Sequence, residues 1–146
     1  MGNRAVLTTS KERNIRFSNE LGVYLHWNGG RDSVEAFLLY CETKGYTSPE
    51  NGSWARFCQV AGNFFGGTLD IDIDQLSRLD CDNYDNGVYI IEKWRIVGRL
   101  YMHNAEQHNH DLLQAMTDIN SCQPVSEQLT ADQIQAAVDR FRRRSA

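Results

Sequence analysis

Apolar positions change their period several times along the chain, and each change marks an element. Arg4 to Thr8 and Gly22 to Trp27 are short runs of aliphatic, β-branched and aromatic side chains, which predict two strands. The second stops at Asn28-Gly29-Gly30. Helical spacing follows at once, with Val34, Phe37, Leu38 and Cys41 on one face, Asp32 as the expected N-cap, Glu35 completing a capping box, and Gly45 as the stop. Ser53 can cap a second amphipathic helix that buries Trp54, Phe57, Cys58, Ala61 and Phe65 and ends at Gly66-Gly67.

Strict alternation returns in Thr68 to Ile73, where Leu69, Ile71 and Ile73 are interleaved with Asp70 and Asp72, the pattern of a strand with one wet side. Val88 to Glu92 and Trp94 to Leu100 predict a hairpin breaking near Glu92-Lys93, preceded by a polar loop from Asp80 to Gly87. The last third becomes helical: Glu106 to Ile119 first, then a break at Pro124, then a helix capped by Thr130 and Gln133 with Ile134, Ala137, Val138 and Phe141 on one stripe. Strands and helices are segregated rather than alternating. The expected class is therefore α+β, a mostly antiparallel sheet packed by two central helices with a helical C-terminal third, in one domain spanning 1–146.

Composition narrows the function classes. The 146 residues are 41% hydrophobic and 23% charged, enough for a core without metal or disulfide support. Fifteen Lys and Arg against nineteen Asp and Glu leave a net charge of −4, which argues against a protein that coats nucleic acid or anionic lipid. Cys41, Cys58, Cys81 and Cys122 are widely spaced and read as reduced thiols. No run approaches the ~20 apolar residues of a membrane span, and no signal-peptide block opens the chain, so a cytoplasmic location is expected.

Three groups of residues could carry chemistry. In His26-Trp27-Asn28-Gly29-Gly30-Arg31-Asp32, two glycines allow close backbone approach, a helix start offers free amides, and Arg31 adds a charge that forks onto phosphate oxygens. The same residues could simply make a tight turn. They match neither a Walker A loop nor a dinucleotide fingerprint. In Cys81-Asp82-Asn83-Tyr84-Asp85-Asn86-Gly87, the spacing fails a calcium loop because Tyr84 falls where an oxygen ligand belongs. The loop is either a turn-rich connection or a recognition surface, with Asn and Asp reading polar edges and Tyr84 offering a stacking face.

Arg56 and Arg99 sit in apolar surroundings, either pointing outward or held for an anionic ligand. Arg140, Arg142, Arg143 and Arg144 make a basic tip suited to the last helix's dipole or to a neighbouring subunit. His26, His103, His108 and His110 lack the spacing of a zinc site. Cysteine or serine nucleophile signatures are likewise missing.

Several blocks together carry a likeness: Gly2-Asn3-Arg4-Ala5-Val6, Tyr24-Leu25-His26-Trp27-Asn28-Gly29-Gly30-Arg31-Asp32-Ser33-Val34-Glu35, Trp54-Ala55-Arg56-Phe57, Asn63-Phe64-Phe65-Gly66-Gly67, Asp85-Asn86-Gly87-Val88-Tyr89 and Ile96-Val97-Gly98-Arg99. Across roughly residues 2 to 100 the chain resembles the phage family called Thoeris anti-defence protein 1. That resemblance implies a non-catalytic sponge with no cofactor or metal. Its members sequester the cyclic ADP-ribose isomer released by a bacterial TIR-domain enzyme, and some also hold cyclic oligonucleotide signals in a separate pocket of a larger assembly.

Family sites lie where subunits meet and combine arginines, an asparagine and an aromatic ring. Carried over, the arginines are Arg56 and Arg99, the asparagine Asn86 beside Asp85, and the ring one of Trp27, Phe65 and Tyr84. The turn residues Asn28, Gly29, Gly30 and Arg31 complete the expected ligand set. The expected partners are the small cyclic nucleotide and further copies of the chain, from a homodimer up to a hexamer, in the cytoplasm of an infected bacterium. Two other classes remain open: an enzyme degrading a cyclic nucleotide with His26 or His103 and Asp82 or Asp85, and a protein inhibitor of a host defence nuclease acting through the basic tip or the Trp94 strand.

Overall fold

The central strand of the molecule is its first, and it is buried on both faces. In the computed structural model, which describes residues 2–51, 54–108 and 110–145, β1 (Ala5–Thr8) pairs antiparallel with β2 (Leu21–Leu25) and parallel with β4 (Val88–Glu92). β3 (Ile71–Gln75) adds antiparallel to β2, and β5 (Arg95–Leu100) antiparallel to β4, giving the sheet order β3-β2-β1-β4-β5. One parallel pair among four makes this the mostly antiparallel α+β sheet expected from the sequence.

Alternation sends Ala5, Leu7, Val23, Leu25, Tyr89 and Ile91 to the face covered by helices. Val6 and Val88 point the other way, into a smaller core closed by Ile15, Leu76 and Cys81 from the loops beside β1 and β3. The α-helices among the described residues are α1 (Arg31–Thr43), α2 (Trp54–Phe65), α3 (Leu112–Ser121) and α4 (Ala131–Ser145). The expectation of an amphipathic α1 is corrected: residues from Asp32 to Cys41 are buried nearly all round, because α1 lies between the sheet and the other helices.

Boundaries differ where tertiary contacts intervene. Gly30, not Asp32, is the N-cap of α1, since Asp32 lies inside the first turn and its Oδ1 accepts from the Ser33 amide at 2.8 Å. Thr68 to Asp70 form a turn instead of strand, leaving Leu69 wholly exposed, because pairing with β2 starts only at Ile71. Residues 106 to 111 precede α3 rather than begin it. Asp111 caps that helix by accepting from the Gln114 amide at 3.1 Å, while Glu106 and Gln107 turn back to hold α1.

The remaining signals appear as expected. Gly45 and Gly66 adopt positive φ at the ends of α1 and α2. Thr130 and Gln133 form a reciprocal cap on α4, at 2.8 and 3.1 Å. The β4–β5 hairpin breaks where expected, but Trp94, expected to open the second strand, joins Lys93 in the turn, both with positive φ, and β5 starts at Arg95. The Ser53 cap lies outside the described residues.

Candidate functional site at the start of the first helix

Tyr89 on β4 pairs with Arg99 on β5, which puts both side chains on the helix face. The Tyr89 hydroxyl donates to the Gly29 carbonyl at 2.6 Å, pinning the turn before α1 to the sheet. The Arg99 guanidinium lies 3.7 Å from the centre of the Tyr89 ring, a cation held against a π face. Its Nη2 donates to the Asn86 carbonyl at 2.6 Å, and its Nη1 contacts Glu106 Oε1. The side chain is 13% exposed. Burial drives its pKa below the usual arginine value, with Tyr89 acting in the opposite direction. Burial likewise pushes the Tyr89 phenol up to about 12, so it stays protonated.

Glu106 is shared. Its Oε2 meets Arg31 Nη1 at 3.3 Å, and Arg31 Nε donates to Glu35 one turn along α1 at 2.7 Å. The result is an alternating row, Glu35–Arg31–Glu106–Arg99, ending on the Tyr89 ring. Arg31 and Glu35 also form one end of a cleft of about 240 Å3 whose apolar walls include Leu38, Leu39, Trp94, Ile96 and Phe141. Arg95 and Arg144 stand on its rim and share Glu42 at 3.5 and 3.2 Å.

The loop from Asp80 to Gly87 frames this row. Asn83 accepts from the amides of Asp85 and Gly87 through one oxygen, at 3.1 and 3.0 Å, and donates to the Asp80 carbonyl at 3.0 Å. Gly87 has φ of 65°, and a side chain there would collide with the Leu100 carbonyl. Asn86 is 2% exposed, and its amide donates to Asn3 Oδ1 at 2.6 Å and to the Arg4 carbonyl at 3.0 Å. Asp85 accepts from both the Arg4 amide and Arg4 Nε, at 3.1 and 2.7 Å. Partial burial pushes the Asp85 carboxyl up, but those bonds outweigh it and hold it below the ordinary aspartate value.

Of the residues anticipated from the sequence, Asn28, Gly29, Gly30, Arg31, Asp85, Asn86 and Arg99 therefore meet in one region. Asn86 contributes its carbonyl to Arg99, whereas its side chain ties the loop to β1. The helix start is not an open anion nest. The Asp32 amide donates to the Gln107 carbonyl at 3.0 Å and the Ser33 amide to Asp32, so the polypeptide itself meets these donors. Asn28 has φ of 58° and lies 3.5 Å from Ser33 Oγ.

Tyr84 is 71% exposed and stacks on His103, ring centres 4.9 Å apart. His103 Nε2 in turn lies 2.7 Å from Asp82 Oδ1. Trp27, 43% exposed, stands edge-on to His26, whose Nδ1 bonds the Tyr24 hydroxyl at 2.9 Å. Arg56 and Phe65 do not join the row. Arg56 is exposed over the Tyr46 ring in a groove with Lys44 and Glu127, and Phe65 packs on Phe37 and Phe64.

Tyr89, Glu106 and Gln107 were not singled out as site residues by the sequence, and Glu35 was read only as the capping-box partner of Asp32, whereas it accepts from Arg31. For Tyr89 the signal was available in the period-two alternation, which sets it on the opposite face from Val88. For Glu106 no local pattern exists, since its partners lie 75 and 7 residues away. Among the described residues no group of three His, Cys, Asp or Glu is placed to hold a metal, and no helix is long and apolar enough to cross a membrane. Comparisons with protein-family models, with curated proteins and with solved structures found no match.

Proposed function

We propose that this chain is a phage anti-defence sponge that binds a cyclic ADP-ribose isomer, the glycocyclic form made by a bacterial TIR-domain immune enzyme, and sequesters it without breaking its bonds. The observation that carries the reading is the convergence of Arg31 and Arg99, 68 positions apart in the chain, on a single carboxylate beside an apolar cleft. A pyrophosphate requires paired cations, and a half-buried guanidinium braced on an aromatic ring holds its fork in place for that purpose. Half-buried Phe141 lines the cleft that Arg31 borders, beside the buried Trp94, and offers apolar surface for a base.

The ligand is held between copies of the chain in the host cytoplasm. Ile73 on the outer strand β3 and Leu69 in the turn before it stand exposed, in keeping with self-association. The resemblance of residues 2 to 100 to the Thoeris anti-defence family supports the same ligand class and a separate pocket for cyclic oligonucleotides.

Calorimetric titration with cyclic ADP-ribose isomers tests the proposal, followed by heat denaturation of the complex and mass analysis of what is released. Stoichiometric uptake and return of the unaltered molecule is the expected result; a changed molecule or no uptake would overturn it.

A second reading has one observation in its favour. The His103–Asp82 pair at 2.7 Å, beside the exposed Tyr84 ring, has the geometry an acid–base couple needs in a cyclic-nucleotide-degrading enzyme. Product formation that disappears in a His103→Ala variant would favour it over sequestration.

A further inference from the structure

We infer that Glu106 is a built-in occupant of the anion seat formed by Arg31 and Arg99, and that it makes the site select ligands with two adjacent negative groups over ligands with one. The inference rests on the proposed reading of this cluster as the ligand site, and it specifies which anions can enter. Each oxygen of Glu106 faces a different arginine: Oε1 contacts Arg99 Nη1 and Oε2 lies 3.3 Å from Arg31 Nη1. A carboxylate thus already stands where two guanidiniums converge. It satisfies them incompletely. Arg99 Nε, Arg99 Nη1 and Glu106 Oε1 are all buried without a hydrogen-bond partner among the described residues, so Nη1 and Oε1 meet as an ion pair only and the planar fork retains donors that the single carboxylate leaves unused.

Counting charge shows what a ligand must bring. Arg31 and Arg99 are balanced by Glu35 and Glu106, so the row is neutral as it stands. A monoanion that displaces Glu106 only restores the same balance, exchanging one carboxylate-like group for another. A diphosphate supplies a second charge and further oxygens for the unused donor, and so outcompetes the resident group.

The exchange requires no large movement. The backbone around Glu106 is tied on both sides, through the His103 and Asn104 amides to the Asp85 carbonyl and through the Gln107 carbonyl to the Asp32 amide. Rotation of the Glu106 side chain toward solvent clears the seat.

The test uses inorganic pyrophosphate and acetate as probes, titrated calorimetrically into the wild-type protein and into Glu106→Gln and Glu106→Ala variants. Wild type is expected to take pyrophosphate in clear preference to acetate, and each variant to bind pyrophosphate about tenfold tighter, because the competing charge is gone. Unchanged or weakened pyrophosphate binding in both variants would overturn the inference, since Glu106 would then be a strut. If the variants fail to fold, wild-type arginine Nε–H resonances followed by NMR during pyrophosphate titration decide instead. Shifts of both Arg31 and Arg99 support displacement, and absence of a shift in either refutes it. The two proposals fail separately. Tightening for pyrophosphate with no uptake of any cyclic ADP-ribose isomer removes the proposed function alone, whereas uptake of the isomer without tightening in the variants removes only the role of Glu106.

Discussion

Arg99 sits over the Tyr89 ring, its guanidinium carbon 3.7 Å from the ring centre, on directly paired positions of neighbouring strands. The register of the β4–β5 hairpin thus creates the contact, and the contact fixes where the cation points. Because Tyr89 also donates to Gly29, the same ring couples β5 to the start of α1.

Removing Arg99 should be felt in both stability and binding. Arg99→Ala leaves Glu106 half-buried beside Arg31 alone and is expected to destabilise the fold by about 2 kcal/mol in urea unfolding. Affinity for the cyclic nucleotide should fall at least tenfold, roughly the loss of one charge-assisted contact. Tyr89→Phe keeps the ring and loses only the hydroxyl bond, so its cost should be about 1 kcal/mol with binding largely retained. Equal affinity in Arg99→Ala and wild type would show that Arg99 is not a ligand contact.

Gly29 and Gly45 offer a contrast between crowding and conformation. A Cβ at Gly29 would run into the Asn3 carbonyl and the Ala5 side chain, whereas one at Gly45 meets nothing although φ there is 75°. Gly29→Ala should therefore cost about 3 kcal/mol, through displacement of the β1 start. Gly45→Ala should cost only about 1 kcal/mol, from the left-handed backbone alone. Thermal unfolding of the two variants side by side measures the difference.

Acid should weaken the loop that frames the site. The folded-state pKa of Asp85 is held below its unfolded value of about 3.9, so its contribution is complete above that value and is lost as pH falls through the folded pKa. Asp85→Asn should flatten the decline in stability below about pH 4, and should lower stability at neutral pH by removing the charge that Arg4 binds. A variant with an unaltered acid-unfolding profile would show that the Arg4 contact contributes nothing.

The four thiols should react at very different rates. Cys41 is fully buried and its pKa is pushed up, and burial raises Cys58 to about 11 and lifts Cys81 less far. Cys122 is exposed. With a thiol reagent at about pH 8, Cys122 should label quickly in the native protein, half-buried Cys58 slowly, and Cys41 and Cys81 only on unfolding. Peptide mapping identifies the fast site, and rapid modification at Cys41 would contradict the packing of α1.

Local chemistry determined much of this molecule by itself. The hairpin and several caps and helix stops are set by residues within one turn of each other, so Thr130 with Gln133, Gly45 and the break near Glu92-Lys93 were legible from spacing, whereas the Asp32 cap and the place of Trp94 were not. The start of β3 and the delayed start of α3 were not, because strand pairing with β2 and the pull of Asp32 on Gln107 overrode equally acceptable local patterns. The candidate site divides along the same line. Arg31 and Arg99 could be named from residue type, since arginines in turns or apolar strands attract notice wherever they occur, while Asn86 was named through the family resemblance. That Arg56 stands apart, that the Asn86 amide serves the loop, and that Glu106 joins two arginines depended on tertiary structure. Electrostatic partners follow distance in space, and nothing in the order of residues encodes a carboxylate meeting one arginine seven positions back and another seventy-five.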